Sequence, residues 1–173
     1  MSVAGSLIAM RQAGVRSRIN GYVQKLEVDI GSEVKAGDVL AFVAVPELDA
    51  ELSVAKALAH VEQAKATGAQ SVGRVSQKRW SRLNKLFKGD PDAVAADRVD
   101  AAETHAVRSR SAKETAQAMQ QARMAELRRA EVMREYQTVR APFDGVVTKR
   151  FVDVGDLVGP GNRMVMFSIS SSG

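Results

Sequence analysis

The stretch VRSRINGYVQKLEVDIGSEVKAGDVLAFV, residues 15–43, returns near the end of the chain as VRAPFDGVVTKRFVDVGDLVGPGNRMVMF, residues 139–167. Laid on each other without a gap, 124 positions apart, ten of the 29 pairs are identical: Val15/Val139, Arg16/Arg140, Gly21/Gly145, Val23/Val147, Lys25/Lys149, Val28/Val152, Asp29/Asp153, Gly31/Gly155, Val34/Val158 and Gly37/Gly161. Others keep apolar against apolar, among them Ile30/Val154, Leu40/Met164 and Ala41/Val165. Halves of about thirty residues are too small to hold a core alone. The repeat therefore predicts one module folded from both ends of the chain, with everything between carried as an insertion.

Each half alternates apolar and polar residues around glycines, the pattern of half-buried strands. Val23, Leu26, Val28 and Ile30 lead into Gly31-Ser32-Glu33, and Val34 is followed by Lys35-Ala36-Gly37-Asp38. Val39 to Val43 then reads as a buried strand. Gly145-Val146-Val147, Val152 to Gly155 and Val158 to Gly161 repeat the plan. The six glycines Gly21, Gly31, Gly37, Gly145, Gly155 and Gly161 are read as structural turns that need positive φ or close chain approach.

From Pro46 to Tyr136 the chain is rich in Ala, Gln, Glu, Lys and Arg, all favourable in helices. Pro46 suits a first helical position. Gly89-Asp90-Pro91-Asp92 sets a stop beside a start, with Gly89 just past one helix, Asp90 as N-cap and Pro91 as the first residue of the next. The reading is two arms of 43 and 45 residues, 46–88 and 92–136. Each is roughly 65 Å long at about 1.5 Å per residue, and helices of that length need a partner. Val54, Leu58, Val61, Gly68, Val72, Val75, Leu83 and Leu86 recur at spacings of three, four or seven on the first arm. Val99, Ala102, Ala106, Ala116, Met119, Leu127 and Ala130 do so on the second. Together they predict an antiparallel coiled coil with a narrow, Ala-rich contact. The polar remainder is a solvated face that can also pack against further copies. Gly68 and Gly73 weaken the first arm by up to about 1 kcal/mol each and mark a possible bend.

The 173 residues contain no cysteine, which excludes disulfides, thiol nucleophiles and thiolate metal sites. No apolar run approaches the roughly 18 residues that span a bilayer, and no signal peptide opens the chain. Met1-Ser2 and the closing Ser170 to Gly173 read as the ends of a fragment. The net charge of +5 is unevenly placed. Between Glu62 and Asp90 lie Lys65, Arg74, Lys78, Arg79, Arg82, Lys85 and Lys88 with no acid. From Asp90 to Glu103, Asp90, Asp92, Asp97, Asp100 and Glu103 stand against Arg98 alone. In an antiparallel hairpin these runs lie side by side, and each sign suits its helix dipole. Internal charge pairing is therefore expected in preference to a nucleic-acid surface, and the low aromatic content argues the same way. His60 and His105 cannot sit level across such a hairpin, so no metal site is expected. Met119, Met124 and Met133 are read as packing residues. No nucleophile pairs with a base, and Gly159-Pro160-Gly161 precedes no helix, so catalysis and phosphate cradling are not indicated.

Residues 21–41 resemble the first half of a biotinyl/lipoyl-type domain, and residues 139–158 resemble the second. The split by a long helical insertion, and the run Ala141-Pro142-Phe143-Asp144-Gly145-Val146-Val147, resemble the periplasmic adaptors of bacterial efflux pumps, the membrane fusion proteins. The resemblance implies an α+β fold: a lipoyl-like β-sandwich from 1–45 (1–14 a leading strand or linker) and 138–173, with an α-helical hairpin over 46–137 and its tip near 88–92. Lipoyl and biotinyl carriers present a lysine on the turn between their halves. Here Val43 to Asp49 holds none before Lys56, and Lys35 and Lys149 lie outside that turn, so no covalent cofactor is expected.

The resemblance further implies a periplasmic protein attached to the inner membrane. It would bridge an inner-membrane transporter to an outer-membrane duct, assemble as a trimer or hexamer, and bind no nucleic acid. Hairpin length favours transporters of the resistance-nodulation-division class over type I secretion. β-barrel and membrane-proximal domains would lie outside this chain. Partner contacts are expected at the tip, on Arg82, Leu83, Leu86, Gly89, Asp90 and Pro91. Adaptors that dock end to end carry an Arg, a Leu four positions on and a Ser or Thr seven beyond. Arg82 and Leu86 match that pattern, whereas Ala93 and the nearby Ala95 lack the hydroxyl. The alternatives are a biotin or lipoate carrier serving an enzyme complex, and a coiled-coil scaffold or nucleic-acid binder using Lys65 to Lys88.

Overall fold

A computed structural model describes residues 11–161 and 165–171. Among them, eight strands form two antiparallel four-stranded sheets. One runs β1 (Gln12–Val15), β8 (Phe167–Ser170), β6 (Gly145–Arg150), β3 (Glu33–Val34). The other runs β5 (Thr138–Arg140), β4 (Val39–Ala44), β2 (Gly21–Leu26), β7 (Leu157–Val158). Exchanging the halves of the sequence maps one sheet onto the other. The short strands are lent across: β3 pairs with β6, and β7 with β2. The loops before them interlock in the same way. Gly31 N–H donates to Val147 O and Gly155 N–H to Val23 O, both at 2.8 Å. Neither half completes a sheet alone.

The repeat dictates backbone geometry at two pairs of glycines. Gly31 and Gly155 hold φ of 89° and 95°, a region costly for any residue with a Cβ. Gly21 and Gly145 allow close approach: a Cβ on Gly21 would lie 2.6 Å from Ala44 O, and one on Gly145 would overlap Ser170 O. These last two open strands β2 and β6 rather than forming turns, which corrects the expectation. Gly37 has φ 91°. Gly161 lies in a turn with neither positive φ nor a crowded Cβ position, so the requirement expected there is absent.

A second correction concerns the ungapped alignment, which fails beyond Val158. Val23 faces Val43 in the β2–β4 pair, and its repeat mate Val147 faces Ile169 in the β6–β8 pair. Val43 therefore answers to Ile169, not Phe167, and Ala41 to Phe167, not Val165. Leu40 O accepts from Glu27 N–H, as Met166 O accepts from Phe151 N–H, both at 2.9 Å. Leu40 thus answers to Met166; the expected partner Met164 lies outside the described residues. The second half carries two extra residues, and because side chains alternate with period two, such a slip leaves inward residues inward.

The core they build contains Val23, Leu40, Val43, Val147, Met166, Phe167 and Ile169, all under 2% exposed. Each such side chain contributes about 1.5–3 kcal/mol on burial. Arg150 closes one end. It bonds Asp29 Oδ1 at 3.2 Å and also Asp153 Oδ1, joining the two repeat-related turns. Asp29 Oδ1 in addition accepts Ile30 N–H at 2.8 Å. That bond chiefly, with help from the Arg150 charge, lowers the Asp29 pKa.

Between β4 and β5 run α1 (Pro46–Gly89) and α2 (Ala96–Glu135). α1 passes Gly68 and Gly73 without interruption. Contacts divide the chain into two units, residues 1–50 with 131–173, and residues 51–130. Residues 1–10, most of the expected leading strand, and the expected chain ends at 1–2 and 172–173 lie outside the described residues.

Gly31→Ala and Gly155→Ala are each expected to cost about 1–2 kcal/mol, whereas Gly89→Ala, with open space at its Cβ, is expected to be neutral or stabilising. Urea denaturation of the three variants checks this ordering.

Candidate functional site

The first helix of the hairpin carries two heptad stripes, and the one that pairs the helices has small residues along its middle while the other carries valines and leucines there. On α1 the inward positions are Leu52, Ala55, Ala59, Glu62, Ala66, Ala69, Gly73, Ser76, Trp80, Leu83 and Phe87, buried or half-buried at alternating spacings of three and four. On α2 they are Val99, Ala102, Ala106, Ser109, Lys113, Ala116, Gln120, Arg123, Leu127 and Ala130. Small residues dominate the middle of the α1 list and recur on α2 at Ala102, Ala106, Ser109 and Ala116, which suits helix axes at the close end of the ~8–10 Å range. Polar pairs set the register there. Ser109 Oγ donates to Ser76 Oγ at 3.1 Å, and Gln120 Nε2 donates to Gln63 Oε1. Arg123 binds Glu126 at 2.7 Å and feels Glu62 across the seam. The bond to Glu126, more than either charge, raises the Arg123 pKa.

The expected first-arm seam is thereby corrected. Val54, Leu58, Val61, Val72, Val75 and Leu86 are 41–64% exposed, Gly68 is exposed too, and of that list Leu83 alone turns inward. They fall on a second stripe (54, 58, 61, 65, 68, 72, 75, 79, 82, 86) displaced from the seam by about 110° at 3.6 residues per turn. Spacing reveals a stripe but not which face the partner helix takes. The missed signal was the seven-residue ladder Leu52, Ala59, Ala66, Gly73, Trp80, Phe87. On α2 the expected seam residues lie inward except Met119, which is 57% exposed; Met124 is exposed as well.

At the tip, Asp90 organises a turn. Its Oδ1 accepts Asp92 N–H and its backbone O accepts Ala93 N–H, both at 3.1 Å. Pro91 therefore occupies the second position of a β-turn, where its fixed φ fits. α2 starts at Ala96 rather than 92, and Gly89 ends α1 without a positive φ. The expected N-cap at Asp90, N1 at Pro91 and place of Gly89 just past the first helix are corrected accordingly.

Arg82, Lys85, Leu86, Gly89, Asp90 and Ala93 line a shallow groove of about 450 Å³. Four expected tip residues thus meet in it, joined by Lys85 and by Ala93 at the motif's third position. Leu83 instead closes the seam, and Pro91 does not line the groove. The expected charge pairing between the arms is absent. Among the described residues no ion pair joins the basic run 65–88 to the acids 90–103. Both runs project off the seam, while Asp90 and Asp97 accept local backbone N–H groups. His60 and His105 are both exposed. Where a carrier domain would show a lysine turn, β4 leads through Val45 directly into α1.

Residues 11–170 match the family described as "RND MFP, barrel-sandwich hybrid domain". The chain is 28% identical over 158 residues to the multidrug resistance protein MdtA of Escherichia coli strain SMS-3-5. It is 29% identical over 159 residues to MdtA of Shigella boydii serotype 18. Both alignments cover 91% of this chain and 34% of the relative, so the chain spans about a third of the length of these curated relatives. Among solved structures, MacA from Actinobacillus actinomycetemcomitans shares the fold with a TM-score of 0.79 at 23% identity, over 94% of this chain and 50% of that one. A putative efflux transporter from Bacteroides eggerthii does so at 0.52 and 18%, over 95% of this chain and 40% of that one.

Ala66→Leu is expected to overpack the seam and cost about 1–3 kcal/mol, whereas the exposed Val72→Glu is expected to stay within about 0.5 kcal/mol. Thermal melts followed by helical circular dichroism separate the two assignments of the seam.

Proposed function

The chain belongs to the RND membrane fusion protein family, through its barrel-sandwich hybrid domain, and on that premise we propose that it serves as an adaptor between an inner-membrane efflux transporter and an outer-membrane exit duct. Its place is the periplasm, attached to the inner membrane, and its role is assembly and sealing rather than catalysis. Among the described residues no helix is long and apolar enough to cross a membrane. The relatives are named multidrug resistance proteins, which favours a drug-export system over a metabolic carrier.

The observation that carries this reading is the outward stripe of α1. Six large apolar residues 41–64% exposed fall on one stripe of α1, in the clusters Val54-Leu58-Val61 and Val72-Val75 with Leu86 apart, separated by Lys65, Gly68, Arg79 and Arg82, and clustered apolar surface rimmed by charge supports an interaction face. Copies packed side by side would bury it, giving the trimeric or hexameric sheath that an adaptor needs. The tip supports the second contact. Its groove combines Leu86 with the charges of Arg82 and Lys85, which have no ion-pair partner among the described residues, an apolar centre with a basic rim suited to an acidic loop of a duct protein. Pro91 and Leu83 support that contact by shaping the turn and closing the seam beneath it.

Two outcomes are expected. Val72→Glu with Val75→Glu abolishes concentration-dependent self-association in sedimentation velocity while leaving the melting temperature within a few degrees; unchanged association would remove the sheath from the proposal. A photo-reactive residue in place of Leu86 captures an outer-membrane duct protein in cells carrying a tripartite pump, and Arg82→Glu with Lys85→Glu abolishes the capture. Capture of the transporter instead would reverse the orientation of the hairpin.

A further inference from the structure

The adaptor reading leaves one surface of the sandwich unused. β1 ends one sheet and β5 ends the other, and residues of both line a groove of about 790 Å³ that also contains Arg16, Arg18 and Tyr136. Arg11 and Val15 give their carbonyls to Ser171 and Met166. Strand alternation then turns the peptide groups of Gln12 and Gly14 away from β8. On the other wall, Gln137 O accepts from Val43 N–H and Ala141 N–H donates to Asp38 O, which turns Thr138 and Arg140 away from β4 in the same manner. Among the described residues, two backbone edges without a strand partner thus border one concavity.

The charge in that concavity is strongly one-sided. Arg16, Arg18 and Arg140 stand against Glu135 alone among the lining residues. Arg140 Nη1 is held by Gly37 O at 2.8 Å. The Arg18 guanidinium lies 5.2 Å from the centroid of the Tyr136 ring, a platform that fixes its direction while leaving its N–H groups free to donate. Arg16 has no hydrogen-bond or ion-pair partner among the described residues.

We propose that this groove receives an extended, acidic peptide segment of a partner protein, which adds as a strand to an open sheet edge and sets its carboxylates against Arg16 and Arg18. Main-chain bonds to an edge strand supply affinity, and side-chain pockets on either side supply selection. The geometry disfavours other occupants. A single small anion would lie in an open trough whose cations are all exposed. A second copy offers its densest acidic run, 90–103, as a turn and the start of α2, not as extended chain. The inference stands apart from the adaptor reading and does not depend on it.

The test uses a fluorescein-labelled acetyl-Thr-Glu-Val-Glu-Thr-Glu-amide peptide and the intact chain, read by fluorescence anisotropy. Saturable, salt-sensitive binding is expected. It should weaken about tenfold or more with a proline peptide in which each Thr and Val is replaced by Pro and each Glu is N-methylated, which keeps the charge but leaves no residue N–H to pair with a sheet edge. A similar loss is expected with Arg18→Glu, whose folding is checked by circular dichroism. The proline peptide needs no protein variant, so it decides the question even if that variant misfolds. Equal binding of the proline peptide would reduce the groove to charge attraction and overturn the proposal. So would equal binding of a lysine-for-glutamate peptide, or no saturation by about 1 mM, the range of the weakest specific affinities. Self-association of the chain alone that disappears with Arg18→Glu would give the groove to a second copy and overturn it as well.

Discussion

The structure depends on the exchange of short strands between two incomplete halves. β3 completes the sheet built around β6, and β7 completes the sheet built around β2. Each exchanged strand is preceded by a turn whose glycine donates into the opposite half. A half sandwich of some thirty residues would expose most of its apolar surface, so the second half must arrive before the first is stable. Whatever lies between them has to bring the chain back to where it left. The exit strand β4 and the return strand β5 are hydrogen-bonded neighbours running antiparallel. An insertion that starts and ends at adjacent strand termini closes most economically as two antiparallel helices, with no long loop to order. The hairpin is in this sense a consequence of the sandwich topology.

How much of this could be read from the amino acids follows from what each kind of pattern encodes. The repeat, the strand segments and both helices were legible because identity at Gly31/Gly155 and Val23/Val147 reports a shared backbone, and because Ala-rich runs between Pro46 and Tyr136 admit little else. The two-residue slip after Val158 was hidden by the period of the β-strand itself, since a shift of two preserves every inward position. The helix seam was hidden for a different reason. α1 carries two stripes of equally good spacing, and volume drew the eye to Val54, Leu58, Val72 and Val75. The partner helix selected the stripe of Ala59, Ala66 and Gly73, because small residues on both sides let the backbones approach. The tip turn was legible in Asp90-Pro91 as a β-turn opening, but competing capping rules point at the same residues, and only the hydrogen bonds of Asp90 separate them.

That choice of seam has an energetic consequence. An Ala, Gly and Ser contact buries little area per turn, and the polar positions Glu62, Lys113, Gln120 and Arg123 add register more than stability. Trp80 Nε1, inward near the tip, is buried without a hydrogen-bond partner among the described residues, a penalty of about 1–3 kcal/mol. The hairpin unit is therefore less stable than its apolar content would permit. Turning Val54, Leu58, Val61, Val72 and Val75 inward in place of the Ala and Gly positions would bury more area, yet would leave α1 with a plain solvated face. On the proposed adaptor reading, keeping them outward would exchange intrachain stability for a surface able to gain burial from other molecules, a trade familiar where function requires association.

The tip follows the same logic with a different balance of forces. In this chain the motif position that would supply a hydroxyl is Ala93, and the groove brings it beside Arg82 and Leu86. A hydroxyl gives a directional bond largely insensitive to salt. Without it, directionality must come from the charges of Arg82 and Lys85 and from the fit around Leu86. Exposed charge pairs contribute little individually and are screened within about 8–10 Å at ordinary ionic strength. Contact at one tip would accordingly be weak and fast, and firmness would come from several tips engaging one partner at once. On that reading, a stripe that gathered copies and a modest tip that docked them would be two parts of one solution: weak docking suffices if assembly multiplies it.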